Sequence, residues 1–283
     1  MRRKWLLKRH IRELASFTIL FVLAFLFVSP LIWIFLTSLK EVKEIYHVPL
    51  MILPRKIVLT HYQDILTQAS GFIVYFANSV KVTLGTLIFV LFFSSLSGYA
   101  IGRRSFVGKA IVLSFVLLLL ALPYIIYVIP IYIMEDNLGL IDTNLGLILP
   151  YVALNLPLSI FIMRGAFRTL PREFEDAARI DGCNEFQVWH KVLLPLVIPS
   201  LAAVAIITFV AVWEEFMFAR TLMPSTHAQT LAVGIPTLKE EAKSWAYGTL
   251  SAALTLSILP VAGIFLVMQK SFVKGLLEGA IKK

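Results

Sequence analysis

Long apolar runs alternate with short polar stretches along the chain. Six runs stand out: Leu14–Leu39, Val74–Ile101, Ala110–Met134, Asn144–Met163, Leu196–Leu222 and Tyr247–Met268. A hydrocarbon layer of ~30 Å needs about 20 apolar residues in helical form, and each run is of that order. Lipid offers backbone N–H and C=O groups no partner, so helices are the expected spanning form. The pattern predicts an all-α integral membrane protein with six transmembrane helices. Pro30 lies inside the first run, Pro123 and Pro130 inside the third, and Pro150 and Pro157 are expected to break the fourth. Residues 1–13 form an N-terminal segment and residues 269–283 a tail. Residues 40–73, with Pro49 and Pro54, read as an aqueous loop with one short surface helix, and 74–268 as the main membrane domain.

One polar interruption is unlike the rest. "PREFEDAARIDGCNEFQVWHKVLLP", residues 171–195, reads as a helical hairpin between the fourth and fifth runs. Pro171 suits a first helical position. Glu173, Glu175 and Asp176 place negative charge at the positive end of that helix, and Gly182 suits the left-handed position after its C-terminus. Asn184 and Gln187 have the spacing of a capping box for a second helix, expected to run to Leu194 and stop at Pro195. Phe174, Ala177, Ala178 and Asp181 share one side of the first helix by i, i+3, i+4 spacing. Such a face fits docking into a partner's groove. By composition alone, a solvated loop joining two spans fits equally.

Composition sharpens the membrane reading. Of 283 residues, 59% are hydrophobic and 15% charged, against about 25% charged in soluble domains, and mean hydropathy is +0.84. The start "MRRKWLLKRHIR" resembles the charged region of a signal peptide. The apolar run behind it is too long and ends in no small-residue cleavage site, so a retained first helix is expected. With the N-terminus inside, one side of the membrane collects Arg2, Arg3, Lys4, Lys8, Arg9, Arg12, Arg103, Arg104, Lys109, Arg164, Arg168, Arg172, Arg179, Lys191, Lys270, Lys274, Lys282 and Lys283. These are 18 of the 26 Lys and Arg. That excess sets both termini and the hairpin on the cytoplasmic side. It also accounts for the net charge of +9 without nucleic acid as a partner. Cys183 is the single cysteine, so neither an intramolecular disulfide nor a cysteine metal site is expected.

Candidate chemistry is sparse. Gly102 to Lys109 has five residues between its glycines and ends in Ala110, so it fails the phosphate-cradling pattern G-x-x-x-x-G-K-[ST]. No HExxH, G-x-S-x-G or Cys/His cluster occurs, so no catalytic residue, metal or bound cofactor is expected. Glu214 and Glu215 stand out inside the fifth run. Ionisable groups in membrane spans usually face a cavity or the bundle interior, so either the pair lines a solute path or Arg220 or a neighbouring helix holds it. Tyr124, Tyr127, Tyr132, Tyr151, Trp213, Phe216 and Phe218 fall near the same depth. Such rings suit the C–H faces of sugars, and they also mark membrane interfaces in general. The proline-interrupted runs fit a transporter's broken helices or simple kinks.

The hairpin also carries a resemblance. "EDAARIDGCNEFQVWHKVLLP" resembles the cytoplasmic signature of membrane subunits of ABC-type importers: Glu-Ala-Ala, three residues, Gly, nine residues, Ile-x-Leu-Pro. Here Asp176-Ala177-Ala178, Gly182 and Val192-Leu193-Leu194-Pro195 hold those places, with Asp176 for Glu and Val192 for Ile. Either Glu175 or Asp176 can play the family's carboxylate. "TSLK" (37–40), "NSV" (78–80), "GYAIGRRSFVGK" (98–109), "GLIDTNLGLILPY" (139–151), "WEEF" (213–216) and the tail "QKSFVKGLLEGAIKK" (269–283) are similar to the carbohydrate-uptake, maltose-transporter branch. There the fifth-span motif usually reads Trp-Asn-Glu-Phe, and Glu214 stands in place of Asn.

The resemblance implies a type I importer permease fold in a prokaryotic inner membrane. It implies a coupling helix gripped by a separate pair of ATP-hydrolysing subunits that hold ATP and Mg. A second homologous permease subunit and an extracytoplasmic solute-binding protein are the other implied partners, besides lipid. Phe174, Glu175, Asp176, Ala177, Ala178, Asp181 and Gly182 become the expected ATPase contact. Gly275, Gly279 and Lys282 become a second, through the tail. Tyr124, Tyr127, Asn155, Trp213, Glu214, Glu215 and Phe216 become the expected path of a sugar or related polyol. The alternatives are an ion-coupled secondary transporter of small polar solutes and an integral-membrane enzyme. Six spans and the hairpin argue against the first, and the missing catalytic constellation against the second.

Overall fold

The computed structural model describes residues 2–67, 70–241 and 247–280, with side chains described for 13–67, 71–239 and 247–269. Every regular element among them is helical. Among the described residues, four helical stretches are long and apolar enough to cross a membrane: Glu13–Ser38, Gly71–Arg103, Asn144–Thr169 and Tyr247–Gln269. Two further candidates are bent pairs, Lys109–Ala121 with Tyr124–Asn137 at 101° and Glu185–Leu196 with Ile198–Trp213 at 80°. The chain divides into two units, Met1–Ser70 with Lys239–Ile258, and Gly71–Leu238 with Leu259–Lys283.

In the first unit, α1 (Arg2–Ser38) begins well before Leu14 and carries Pro30 without interruption. It exposes apolar side chains along its length, Phe17 at 68% and Phe27 at 79% among them, a surface suited to lipid and not to water. The loop beyond holds two short helices where one was expected, α2 (Val42–Ile45) and α3 (Thr60–Thr67). Lys40 is buried. Its Nζ donates to the Met51 carbonyl at 2.6 Å and lies 4.4 Å from the Trp33 ring centroid. Burial pushes its pKa down, while nearby Glu44 acts the other way. His61 Nε2 meets the Lys40 carbonyl at 2.9 Å. A carbonyl only accepts, so that nitrogen donates, and Nδ1 lies 3.2 Å from the Thr249 hydroxyl. The Thr-Ser-Leu-Lys motif is thus a clamp closing the loop over itself.

The second unit is built on α4 (Ser70–Arg103) and α7 (Asn144–Thr169). Residues near the start of each, Val82 and Leu147, share one buried cluster with Phe218 and Leu222. Residues near the end of each, Tyr99 and Phe167, share another with Ala178, Val188 and Trp189. The two helices therefore run in the same direction. Their crossing is close at Gly98, where an added Cβ would lie 2.6 Å from Met163 Cβ and 2.9 Å from the Arg164 backbone nitrogen. Small residues at such crossings let helices approach where no hydrophobic effect drives them together.

Two proline expectations need correction. α7 is unbroken, with Pro150 and Pro157 inside it and both buried. Each removes one backbone donor, but in a packed bundle the neighbouring helices hold the rest of the ladder in place. Thr143 caps its start, accepting from Gly146 N at 3.1 Å. The third run is where proline acts, between α5 (Lys109–Ala121) and a tight turn at Tyr124–Tyr127 leading into α6 (Val128–Asn137). Leu122, just before Pro123, is extended at φ −84°, ψ 132°, because proline bars the preceding residue from helical geometry. Pro130 falls in the first turn of α6 and breaks nothing.

Gly98→Ala should lower the thermal unfolding midpoint of the detergent-solubilised protein, equivalent to about 1–3 kcal/mol of overpacking. Gly165→Ala, where an added Cβ meets nothing within 4 Å, should leave it unchanged or slightly raised.

Candidate functional site

The hairpin begins where α7 ends. α8 (Glu173–Ile180) starts at Glu173, not at Pro171, with Arg172 at its N-cap. The reason is that Arg103 holds the entry: its guanidinium donates to the Leu170 carbonyl at 2.8 Å and to the Pro171 carbonyl at 3.2 Å. Gly182 follows α8 at φ +81°. Asn184 and Gln187 then form the reciprocal capping box, at 2.9 Å and 2.8 Å. The second helix does not stop at Pro195. α9 (Glu185–Gln187) passes through a π-helical turn, Val188–Leu193, into α10 (Leu194–Leu196). Pro195 sits in the first turn of α10, where its missing N–H costs least. The break comes at Val197, before α11 (Ile198–Trp213).

Charge decides which face of α8 points inward. Glu175 is 5% exposed. Arg103 Nε donates to its Oε1, while Arg104 and Arg179 reach its Oε2 at 3.2 and 3.1 Å. Arg104 also pairs with Glu185, to which the Tyr99 hydroxyl donates at 3.0 Å, and Arg179 approaches Glu185 at 3.4 Å. Asp176 points outward and holds Arg179 at 3.2 Å. Ala178 is buried in the cluster of Tyr99, Met163 and Phe167. Glu175 and Ala178, expected on the contact face, are therefore taken up inside the chain, the burial boundary falling between Phe174 and Ala178. Phe174, Asp176, Ala177, Ile180, Asp181 and Gly182 are exposed, with Ile180 at 87%.

The fifth run is not one helix over 196–222. α11 ends at Trp213, and α12 (Met217–Leu222) begins after a break at Glu214–Phe216. Glu215 makes the break. Its carboxylate accepts the first free donors of α12, Phe218 N and Ala219 N, each at 3.0 Å, and the Tyr151 hydroxyl at 2.6 Å. A carboxylate at a helix N-terminus is favoured by the helix dipole. The neighbouring helix, through Tyr151, and not Arg220, holds it.

Beside this break lies a cavity of about 490 Å³, lined by Tyr124, Tyr151, Leu154, Asn155, Ala211, Val212, Glu214, Glu215, Phe216, Met217 and Phe218. Five of the expected path residues meet there: Tyr124, Asn155, Glu214, Glu215 and Phe216. Two do not. Trp213 turns away to stack on Phe209 at 5.4 Å and to meet Phe76 edge-on at 5.8 Å. Tyr127 packs against the buried cluster of Leu147 and Phe218. Tyr151, placed among the aromatics but not on the path, supplies the cavity's best-defined hydroxyl. Asn155, also in the lining, donates from Nδ2 to the Tyr151 carbonyl at 2.8 Å. Aromatic faces beside an amide and a carboxylate can receive a polyhydroxylated ring.

The quoted motifs also place polar groups whose work was not foreseen. Asn78 Nδ2 donates to the carbonyls of His227 and Gln229 at 3.0 and 3.1 Å. Ser79 Oγ accepts from Leu231 N at 2.8 Å, capping α13 (Leu231–Glu241) from another helix. Asp142, at φ 61°, accepts from Ser225 N at 3.0 Å and from its hydroxyl at 2.7 Å. Together they pin the loop between α12 and α13. Asn, Ser and Asp are the residues that bond nearby backbone, and that was the available signal. Among the described residues no group of His, Cys, Asp and Glu could hold a metal. Gly275 and Gly279 fall in α14 (Tyr247–Ala280), beyond residue 269, where its described side chains end. Lys282 lies outside the described residues.

Comparison with known proteins now bears on this geometry. The profile of the family described as "binding-protein-dependent transport system inner membrane component" matches residues 91–278. The probable ABC transporter permease protein YurM of Bacillus subtilis strain 168 is 33% identical over 285 residues, covering 99% of this chain and 91% of its own. The arabinooligosaccharides transport system permease protein AraQ of Halalkalibacterium halodurans is 33% identical, over 92% of this chain and 93% of its own. The trehalose/maltose transport system permease protein MalG of Thermococcus litoralis is 32% identical, over 92% and 94%. Among solved structures, a bacterial ABC transporter involved in the import of the acidic polysaccharide alginate superposes with TM-score 0.79 at 25% identity, over 93% of this chain and 97% of that one.

Glu175→Gln should cost about 3 kcal/mol of stability, because it strips the buried Arg103 of its counter-charge. Asp176→Asn, at an exposed pair, should cost less than about 0.5 kcal/mol. Thermal unfolding of the two purified variants, side by side, checks the contrast.

Proposed function

The chain belongs to the family of binding-protein-dependent transport system inner membrane components, and we propose that it forms part of the route by which a sugar or oligosaccharide crosses the membrane. Membership makes it a multi-pass inner-membrane permease subunit of an ABC importer, a transport component and not an enzyme. Neither the relatives nor the fold support the ion-coupled alternative. The sugar follows from the relatives, whose names specify arabinooligosaccharides and trehalose/maltose. The cavity at the α11–α12 break is compatible with it, offering Tyr124 and Phe216 to ring faces and Asn155 and Glu214 to hydroxyls.

In this reading the bent pair of Lys109–Ala121 with Tyr124–Asn137 is the third of six spans, α11 with α12 is the fifth, and both termini are cytoplasmic. Support for the orientation comes from the hairpin end of α4, where Arg103, Arg104 and Arg179 converge on Glu175, as the inside excess of basic residues requires. The hairpin is the handle for an ATPase pair that supplies the nucleotide chemistry. A second homologous permease subunit completes the path, and an external solute-binding protein delivers the cargo.

The observation that carries the proposal is the two-sidedness of α8. Its inner face is fastened to the end of α4 by two arginines, Arg103 and Arg104, while its outer face leaves Phe174 and Ile180 uncovered, with Phe186 exposed on the same hairpin. Large apolar groups left exposed in a polar surround mark a docking surface.

In a Cys183→Ser background, Ala177→Cys should crosslink to the ATPase subunit of the assembled transporter, and Ala178→Cys should not. Gly182→Val should uncouple the complex, lowering transport-linked ATP hydrolysis at least about tenfold while the protein still inserts, because a β-branched residue is strained at positive φ. Crosslinking from neither position, with hydrolysis intact in Gly182→Val, would remove the hairpin from the coupling step.

A further inference from the structure

The two adjacent carboxylates of the fifth run are not equivalent. Both oxygens of Glu215 are engaged: Oε1 accepts from Phe218 N, and Oε2 accepts from Ala219 N and the Tyr151 hydroxyl. Glu215 is thus used up in starting α12. Glu214 closes α11 through its backbone alone, donating N–H to the Val210 carbonyl at 3.2 Å. Its side chain is exposed, lines the cavity, and has no ion-pair or hydrogen-bond partner among the described residues. The cavity wall offers no cation to set against it. Its other polar residues are Tyr124, Tyr151, Asn155 and the already engaged Glu215.

From this asymmetry we infer that Glu214 is a specificity-determining residue that bars anionic solutes from the cavity, restricting the chain's cargo to saccharides without carboxylate, sulfonate or phosphate groups. The inference rests on the proposal that the cavity belongs to the solute path. An uncompensated carboxylate in a half-enclosed space repels a uronate strongly, because less water intervenes than at an open surface. It also accepts hydrogen bonds from hydroxyl or amino groups of a neutral or amino sugar. Where this importer branch usually carries Asn in the Trp-Asn-Glu-Phe motif, the wall would keep one carboxylate, Glu215, whose oxygens are already turned to the α12 start and the Tyr151 hydroxyl, and no free charge would face the solute. The carboxylate adds a rejection of the wrong cargo to an otherwise permissive surface, which is how specificity is often built.

The test uses the assembled, detergent-solubilised transporter with Cys183→Ser and a reporter thiol at Asn155→Cys, with Met217→Cys as a second reporter should the first disturb folding. Rates of modification by a cationic and an anionic methanethiosulfonate are each normalised to a free thiol. With Glu214 intact, the cationic reagent should react at least about tenfold faster, and Glu214→Gln should bring the ratio close to one. Maltotriose should protect the thiol in both backgrounds. Trigalacturonate should protect only in Glu214→Gln.

A ratio near one with Glu214 present overturns the inference. So does equal protection by the two trisaccharides in that background. A high ratio abolished by Glu214→Gln, with no protection by either saccharide, leaves the charge barrier standing and overturns the sugar path instead. A thiol unreactive at both reporter positions overturns the cavity as a solute route and the inference with it.

Discussion

A carboxylate taken out of water has to be met by cations and donors already in position, and Glu175 is met by three arginines from two helices. Arg103 and Arg104 come from the end of α4, and Arg179 from α8 itself. The geometry does more than neutralise a charge. Arg103 also holds the last carbonyls before α8, at Leu170 and Pro171, so one side chain ties together the ends of α4 and α7 and the start of the hairpin. Leaving Arg103 buried without its partner would be costlier than the pair itself is favourable. That asymmetry makes the junction stiff, and a stiff junction is what a docked handle needs to pass displacement to membrane helices instead of bending away.

The same economy recurs at the other end of the second unit. Helix ends leave backbone groups without partners, and in an apolar surround water is not there to supply them. Glu215 supplies them to α12, Ser79 to α13 and Thr143 to α7. Asn78 and Asp142 do the equivalent for the connecting loop. These polar residues meet backbone where helices start or where the connecting loop crosses. That is why so many of the motifs that mark its family contain Asn, Ser, Asp or Glu.

Much of this was legible beforehand, for a physical reason. Span length is fixed by bilayer thickness, so long apolar runs announced long helices, α7 among them. Hairpin punctuation is local chemistry, so Gly182 and the Asn184–Gln187 box fell where spacing put them. What was not legible depended on partners far along the chain. Nothing near Glu175 in sequence announces Arg103, so the inward turn of Glu175 and Ala178 could not be foreseen. Nor could proline positions say which would bend. Pro150 and Pro157 lie within a helix packed on its neighbours, whereas Pro123 lies between segments free to diverge by 101°. The Trp-Glu-Glu-Phe stretch was noticed for its charge, but that one carboxylate would be consumed by a helix start required the fold.

The division of labour between Glu214 and Glu215 illustrates a more general constraint. A span can tolerate a break only if something caps the new helix end, and the cap has to be polar. Once a break is made, the residues around it are no longer tied into the helix ladder and their side chains turn toward whatever space the bend opens. A capped break therefore produces a polar-lined recess at membrane depth as a by-product, which is why irregular backbone and solute sites coincide in transporters. Here Glu215 is the cost of the break and Glu214 is what the recess gains. The two belong side by side because the recess exists only next to its cap.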